Sequence, residues 1–351
     1  MGIKKQHHTM RTLAAKLGLS TMTVSRALRN APGVSATTRK LVTAAARNLG
    51  YRPDPALAVL NAYRHRRRLR TPAERIAFIT NFATPDGWKD SFTFVRYFTG
   101  VQRRAQQLGY EVEHFWVGDP AATPRRNSQI LRSRGIQGLI VGPLVAGRTT
   151  LELDWDLFST VAVGRSLVAP ELTTVSTNHA QAVELAWRQA RGRERRRIGL
   201  VLTEGEDGRT LGMLRASHLL QQLQGREEAL PILLVPNFSA AALAAWTRAH
   251  RPDLILSSEQ AHYDLLLKSK AVDRRQTGFL HLNVHPATGL GGIDQGHDQV
   301  GEHAAVQLHL KLSQRETGIP RPRELLLIDG RWQEGRGVWR LVPRPVAPTG
   351  R

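Results

Sequence analysis

TLAAKLGLSTMTVSRAL (residues 12–28), continued by RNAPGVSATTRKLVTAAARNLGYRPDPALAVL (29–60), is the stretch around which this chain is organised. Met10, Leu13, Ala14 and Leu17 recur at helical spacing and predict a short amphipathic helix ending at Leu17. Gly18 can adopt the left-handed conformation that closes it. Ser20 offers its hydroxyl as the N-cap of a second helix, Thr21–Arg29. Val24, Ala27 and Leu28 would face inward on that helix, leaving Thr21, Met22, Thr23, Ser25, Arg26 and Arg29 outside. A third helix from Ser35 would put Leu41, Val42, Ala45 and Leu49 on one face, with Gly50 and Pro53 ending it. Two short helices joined at a glycine turn form a helix-turn-helix, whose second helix can enter a DNA major groove. The same geometry also serves as a plain three-helix core with a solvated polar face, so spacing leaves both readings open.

The charge distribution weighs on the question. Net charge is +21 over 351 residues, and residues 1–70 hold fifteen bases against one acid, Asp54, a net +14. That imbalance suits a polyanion. The segment lacks the broad apolar face of a helix lying on a membrane. With no cysteine, disulfides, thiolate metal sites and thiolate nucleophiles are excluded. The basic N-terminus has no apolar run behind it and no stretch is long enough to span a bilayer, so the expectation is a soluble, cytoplasmic protein without membrane partners.

AAKLGLSTMTVSRAL (14–28) and VSATTRKLVTAAARNLGYRPDP (34–55) closely resemble the DNA-binding headpiece of the lactose-repressor (LacI) family. The resemblance implies that Thr21, Met22 and Arg26 read base edges, while Ser20, Thr23, Ser25 and Asn30 hold the phosphate backbone. Side-chain chemistry agrees: Arg pairs bidentately with guanine, Met can contact a thymine methyl, and hydroxyls on phosphates fix register. Asp54–Pro55 reads as an N-cap with Pro at the first helical position, opening a short helix through Tyr63. By resemblance this is the family's hinge helix, which forms on operator DNA and wedges Leu60 into the minor groove. Packing of Leu57 and Leu60 on the core is the alternative. RHRRRLR (64–70) would lie along phosphates.

From Glu74 onward, short apolar runs alternate with helical stretches. IAFITNF (76–82), YEVEHFWV (110–117), GLIVG (138–142), TVAVG (160–164), IGLVL (198–202), ILLV (232–235), LILS (254–257) and GFLHLN (278–283) read as strands. Such alternation predicts parallel sheets, and some 280 residues of it predict two. The fold expected is therefore an all-α helix-turn-helix headpiece plus an α/β core of two lobes, similar by resemblance to periplasmic binding proteins. The domains expected are residues 1–53 (headpiece), 54–72 (hinge helix and linker) and 73–351 (core). The N-lobe would hold about 73–176 and 295–329, and the C-lobe about 177–294 and 330–345.

Ligands in open α/β lobes bind beyond the carboxyl ends of strands. The resemblance implies that Arg209, Glu259, Gln295 and Phe238 line the cleft, with Asn81 after the first strand and Phe92 at the edge. Guanidinium, carboxylate and ring together suit a polyol. Two departures stand out: Arg165 replaces the acid common among relatives, and HLNVHP (281–286) lacks the usual acidic pair. Both leave an anionic effector open. His297, His303 and His309 are spaced six apart, which scatters them around a helix, so no metal is expected. GLGGID (289–294) lacks the strand–turn–helix setting of a dinucleotide fingerprint, and no cofactor is expected.

The implied function is a transcriptional regulator, a repressor in the first instance. As a homodimer it would bind double-stranded operator DNA under control of a small effector, a sugar or related metabolite. A solute-binding protein or a sugar-modifying enzyme on the same scaffold are the alternatives; no motif for catalysis is present.

Overall fold

The computed structural model describes residues 10–28, 34–49, 74–145, 147–203, 208–225, 229–235, 239–269 and 277–337. The chain forms two compact units, Met1–Pro72 and Ala73–Arg351.

In the first unit three helices follow one another: α1 (Met10–Leu17), α2 (Thr21–Leu28) and α3 (Ala36–Asn48). Leu13, Ala14, Val24, Ala27, Val42 and Ala46 form its buried centre, with Leu17, Leu28 and Leu49 partly buried around it. Gly18 takes φ +61°, and the turn is closed by Leu19 N–H donating to the Ala14 carbonyl. Ser35 accepts from the Thr38 N–H and starts α3. One expectation is corrected. Leu41 is 53 % exposed, because the inward row of α3 runs through Val42 and Ala46 and position 41 falls beside it. Asn30, Gly50, the expected hinge helix with Leu60, and the 64–70 run lie outside the described residues.

The second unit holds two six-stranded sheets. The first is built from β1 (Glu74–Thr80), β2 (Tyr110–Trp116), β3 (Gly138–Val141), β4 (Ser159–Val163), β5 (Thr174–Thr177) and β11 (Leu325–Ile328). Its order is β11-β5-β4-β3-β1-β2, all parallel. The second contains β6 (Ile198–Thr203), β7 (Leu233–Val235), β8 (Leu254–Ser257), β9 (Gly278–His281), β10 (Gly292–Asp294) and β12 (Arg331–Gln333). Its order is β12-β10-β9-β8-β6-β7, with only the β10–β12 pair antiparallel. Central strands such as β3 and β8 are buried throughout, as parallel strands covered on both faces must be.

Helices supply those covers. In the first lobe α4 (Phe92–Leu108) and α10 (His297–Gln314) pack one face through Phe94, Val101, Ala105, Val300 and Leu308. Leu131 of α5 (Pro124–Ser133) helps cover the other. The α4–α10 approach is close enough that a Cβ on Gly100 would stand 1.9 Å from the Asp298 carbonyl oxygen, and one on Gly301 2.2 Å from that of Tyr97. In the second lobe α6 (His179–Arg191) and α7 (Gly208–Gln224) cover one face, and α8 (Ala240–His250) and α9 (Gln260–Ser269) the other. The chain passes between the lobes three times: from β5 into α6 at Asn178, from β10 into α10 at 295–296, and from β11 to β12 at 329–330.

Candidate functional site

Two surfaces follow from these elements. On the first unit, α2 presents Thr21 and Arg26 exposed and Thr23 half-buried, with Val24 and Ala27 facing the core. Ser20 is the local organiser: its Oγ accepts from the Thr23 N–H at 3.0 Å and lies 2.8 Å from Thr23 Oγ1. The cap satisfies one of the donors left open at a helix start and orients the first turn. Met22 and Ser25 fall on the same helix. An exposed guanidinium and hydroxyls on a short helix, without an acid among residues 10–28, can bind phosphates and base edges.

The second surface is where the carboxyl ends of the two sheets meet. Asn81 directly follows β1 and is buried; its Oδ1 accepts from the Val145 N–H at 3.0 Å, joining the exits of β1 and β3. Arg165 follows β4, and next to it buried Ser166 accepts from the Leu144 N–H at 2.6 Å. From the facing lobe, Arg209 in the first turn of α7 reaches across, its Nη1 3.5 Å from the Arg165 carbonyl oxygen. Thus two expected cleft residues from different lobes are brought together. Phe92, at the start of α4, meets the other lobe too, its ring 4.9 Å from that of His285; within its own lobe it stands 6.0 Å from the ring of His297. Glu259 lies beyond β8, its N–H donating to Ser257 Oγ. Gln295 is buried in the second crossing, its Nε2 donating to the Leu282 carbonyl at 2.7 Å. Its amide therefore braces the crossing. Phe238 lies outside the described residues, as do Asn30 and Leu60.

Several groups around the cleft escaped the sequence reading. Arg96 of α4 binds Asp294 at 2.6 Å and Asp298 at 2.5 Å, where the chain passes from β10 to α10. Burial works against the Arg96 charge, but the two carboxylates outweigh it and raise its pKa. His262 and His281 line the exits of β8 and β9 of the second lobe, and burial pushes both down to about 4, the His262 charge adding to the effect on His281. His262 Nδ1 is 2.6 Å from Ser257 Oγ. His297 is fully enclosed, pushed down to about 3 by burial and then by the Arg96 charge, and its Nε2 bonds Asn283 Oδ1 at 2.7 Å. These are neutral rings at ordinary pH. The available signal was the HLNVHP run, with its polar residues at the end of a buried strand. GLGGID lies outside the turn that a dinucleotide fingerprint would occupy: Gly292–Asp294 is β10, which leads through 295–296 into α10. Gly289 and Gly291 precede the strand and do not form that turn. Among the described residues no cluster of His, Asp or Glu could hold a metal ion, and no helix is long and apolar enough to cross a membrane.

Comparison with known proteins bears on both surfaces. Residues 9–54 match the family model described as bacterial regulatory proteins, lacI family. No curated protein sequence matches the chain. Among solved structures, the chain is similar to a lac repressor dimer bound to operator and the anti-inducer ONPF, at 16 % identity and TM-score 0.55, over 95 % of this chain and 99 % of that one. It is similar to the transcriptional regulator CelR in complex with cellobiose, at 16 % identity and TM-score 0.55, over 94 % and 100 %. A LacI transcriptional regulator from Lactobacillus brevis matches at 18 % identity and TM-score 0.56, over 74 % and 100 %. At such identities the likeness is one of fold, and it extends over headpiece and two-sheet core alike.

Proposed function

We propose that this chain, a member of the lacI family of bacterial regulatory proteins through its residues 9–54, is a sequence-specific transcriptional regulator whose grip on operator DNA is set by a small effector between the core lobes. The observation that carries the proposal is the exposed Thr21–Arg26 face of α2, capped by Ser20, inside a 70-residue segment of net charge +14. Thr21, Met22 and Arg26 read bases, while Ser20, Thr23, Ser25 and Asn30 fix the phosphate register, and Leu60 of the hinge opens the minor groove. The three crossings and the Arg209–Arg165 contact support a cleft lined by Asn81, Phe92, Arg165, Arg209, Phe238, Glu259 and Gln295. The domain plan is a headpiece to residue 53, a hinge and linker to 72, and a core beyond. It acts as a homodimer and repressor in the cytoplasm, and it is not an enzyme.

The neighbour bound to operator and the cellobiose complex, each described as such, support the pairing of a DNA site with a sugar-type ligand. Mechanistically, a two-lobed core can close on a ligand, and a short helix is balanced finely enough for a distant change to bias it. Coupling of about 1–3 kcal/mol changes DNA affinity roughly 5–150-fold. The test is selection of random duplex DNA on the full chain. Enrichment of a pseudo-palindrome with related half-sites is expected; recovery of unrelated sequences would overturn the proposal.

A further inference from the structure

Helix α7 carries its polarity in reverse. Toward the core of its lobe it turns not only Leu211 and Leu214 but also His218 and Gln222, all four buried. His218 Nδ1 accepts from Trp187 Nε1 at 3.2 Å, and Gln222 Nε2 donates to the Leu230 carbonyl at 2.9 Å. Outward it exposes Leu219, Leu220 and Leu223, the last of them 84 % exposed, beside exposed Gly212 and Ala216. A helix facing water carries polar residues on that side, and a contiguous exposed apolar patch marks a contact surface.

The outward residues keep the spacing of a helix pair. Gly212, Ala216, Leu219 and Leu223 are separated by four, three and four positions and form one stripe, small toward the amino end and large toward the carboxyl end. Nothing in its own chain requires Gly212: a Cβ there would meet nothing within 4 Å, and glycine weakens a helix interior relative to alanine. What glycine permits there is the close approach of another chain. Reversed on itself, the stripe sets large against small. A two-fold axis between Ser217 and His218 places Leu223 of each copy over Gly212 of the other, and Leu219 over Ala216. Arg215, the charged residue within this span, falls at the edge of the stripe.

We propose that the outer face of α7 pairs with the same face of a second copy of this chain, antiparallel about that axis. The leucines of each copy then fill the room left by the small residues of the other. Two helices of 17 residues cover less than the roughly 800 Å² per partner of a stable interface, so the pairing should be weak and concentration-dependent. It needs neither DNA nor effector.

Sedimentation equilibrium of the full chain, from about 1 to 200 µM, reads the pairing. The mean mass should rise with concentration to at least about twice its value at the dilute end. Leu223→Glu, at a position turned to solvent, should remove the rise while leaving the melting temperature in place. Cysteines read the register, since the chain has none of its own. Gly212→Cys chains mixed with Leu223→Cys chains should form the mixed disulfide at least about tenfold faster than either variant forms its own. In the antiparallel pair like positions lie roughly 16 Å apart along the helices, beyond disulfide reach. A constant mass would leave the stripe to a different protein and overturn the proposal. So would a rise that survives Leu223→Glu, or disulfides between like positions that form as fast as the mixed one.

Discussion

Arg96 holds Asp294 with two hydrogen bonds, Nη1 to Oδ1 at 2.6 Å and Nη2 to Oδ2 at 3.3 Å. The first residue sits on a helix of one lobe, the second at the last position of β10 in the other, at the point where the chain crosses over. The same Nη2 also reaches Asp298. A single guanidinium thus ties α4 to both sides of a crossing that any closing motion must bend.

Arg96→Met keeps the apolar stem and removes the charge, leaving partly buried Asp294 without its ion pair and Asp298 with only the longer one to Arg103, at 3.4 Å. The side chains of the Arg96–Asp294 pair are 18 % and 25 % exposed, between the surface and buried cases. The expected loss is about 2 kcal/mol, read from the urea unfolding midpoint. A loss below about 0.5 kcal/mol would mean the pair is solvated in practice.

Gly100→Ala tests the α4–α10 approach. The added methyl would stand 1.9 Å from a backbone oxygen and cannot be accommodated by a rotamer change. A destabilisation of about 3 kcal/mol or more is expected from differential scanning calorimetry, at the upper end of overpacking costs. Unchanged stability would show that the helices separate freely.

How far the sequence anticipated this arrangement differs from place to place. The headpiece was readable because caps, a positive-φ glycine and a 3.6-residue apolar period all lie within forty residues. Leu41 was misread because an apolar residue beside the inward row looks, in sequence, like part of it. Long apolar runs gave the central strands. In contrast β5, β10 and β12 are three or four residues long and carry polar side chains, so no period could emerge, and β11, though all apolar, is only the four-residue run LLLI. Gln260–Ser269 was passed over as a helix despite its LLL run, since its start carries no N-cap signal. At the cleft, single residues were nameable but their partners were not. Arg96 and Asp294 are 198 positions apart in the chain, and nothing local connects them.

Acid should destabilise the core in a defined window. Unfolded histidine protonates near 6.5, whereas burial holds His218, His262 and His281 at about 4 and His297 at about 3. Between these values the unfolded chain binds more protons, so stability falls as pH drops below 6.5. Between pH 7 and 5 each such histidine should cost about 2 kcal/mol. Urea titrations at both pH values check this; equal or higher stability at the lower pH would refute neutral burial of these rings.

Ser20→Ala removes the α2 cap and should cost the headpiece about 1 kcal/mol. Circular dichroism melts of the full chain should show it as an earlier headpiece transition, with the core transition unmoved. A cap that contributes nothing would leave both in place.

The most direct measurement of the central claim is a binding titration of wild type and Arg26→Ala at fixed salt, with the selected duplex and a scrambled duplex of equal length. Wild type should prefer the selected duplex by about 10³-fold or more. Arg26→Ala, still folded, should lose about 1–3 kcal/mol of that preference while binding the scrambled duplex nearly as before. Equal affinity of wild type for the two duplexes, or full discrimination by Arg26→Ala, would contradict it.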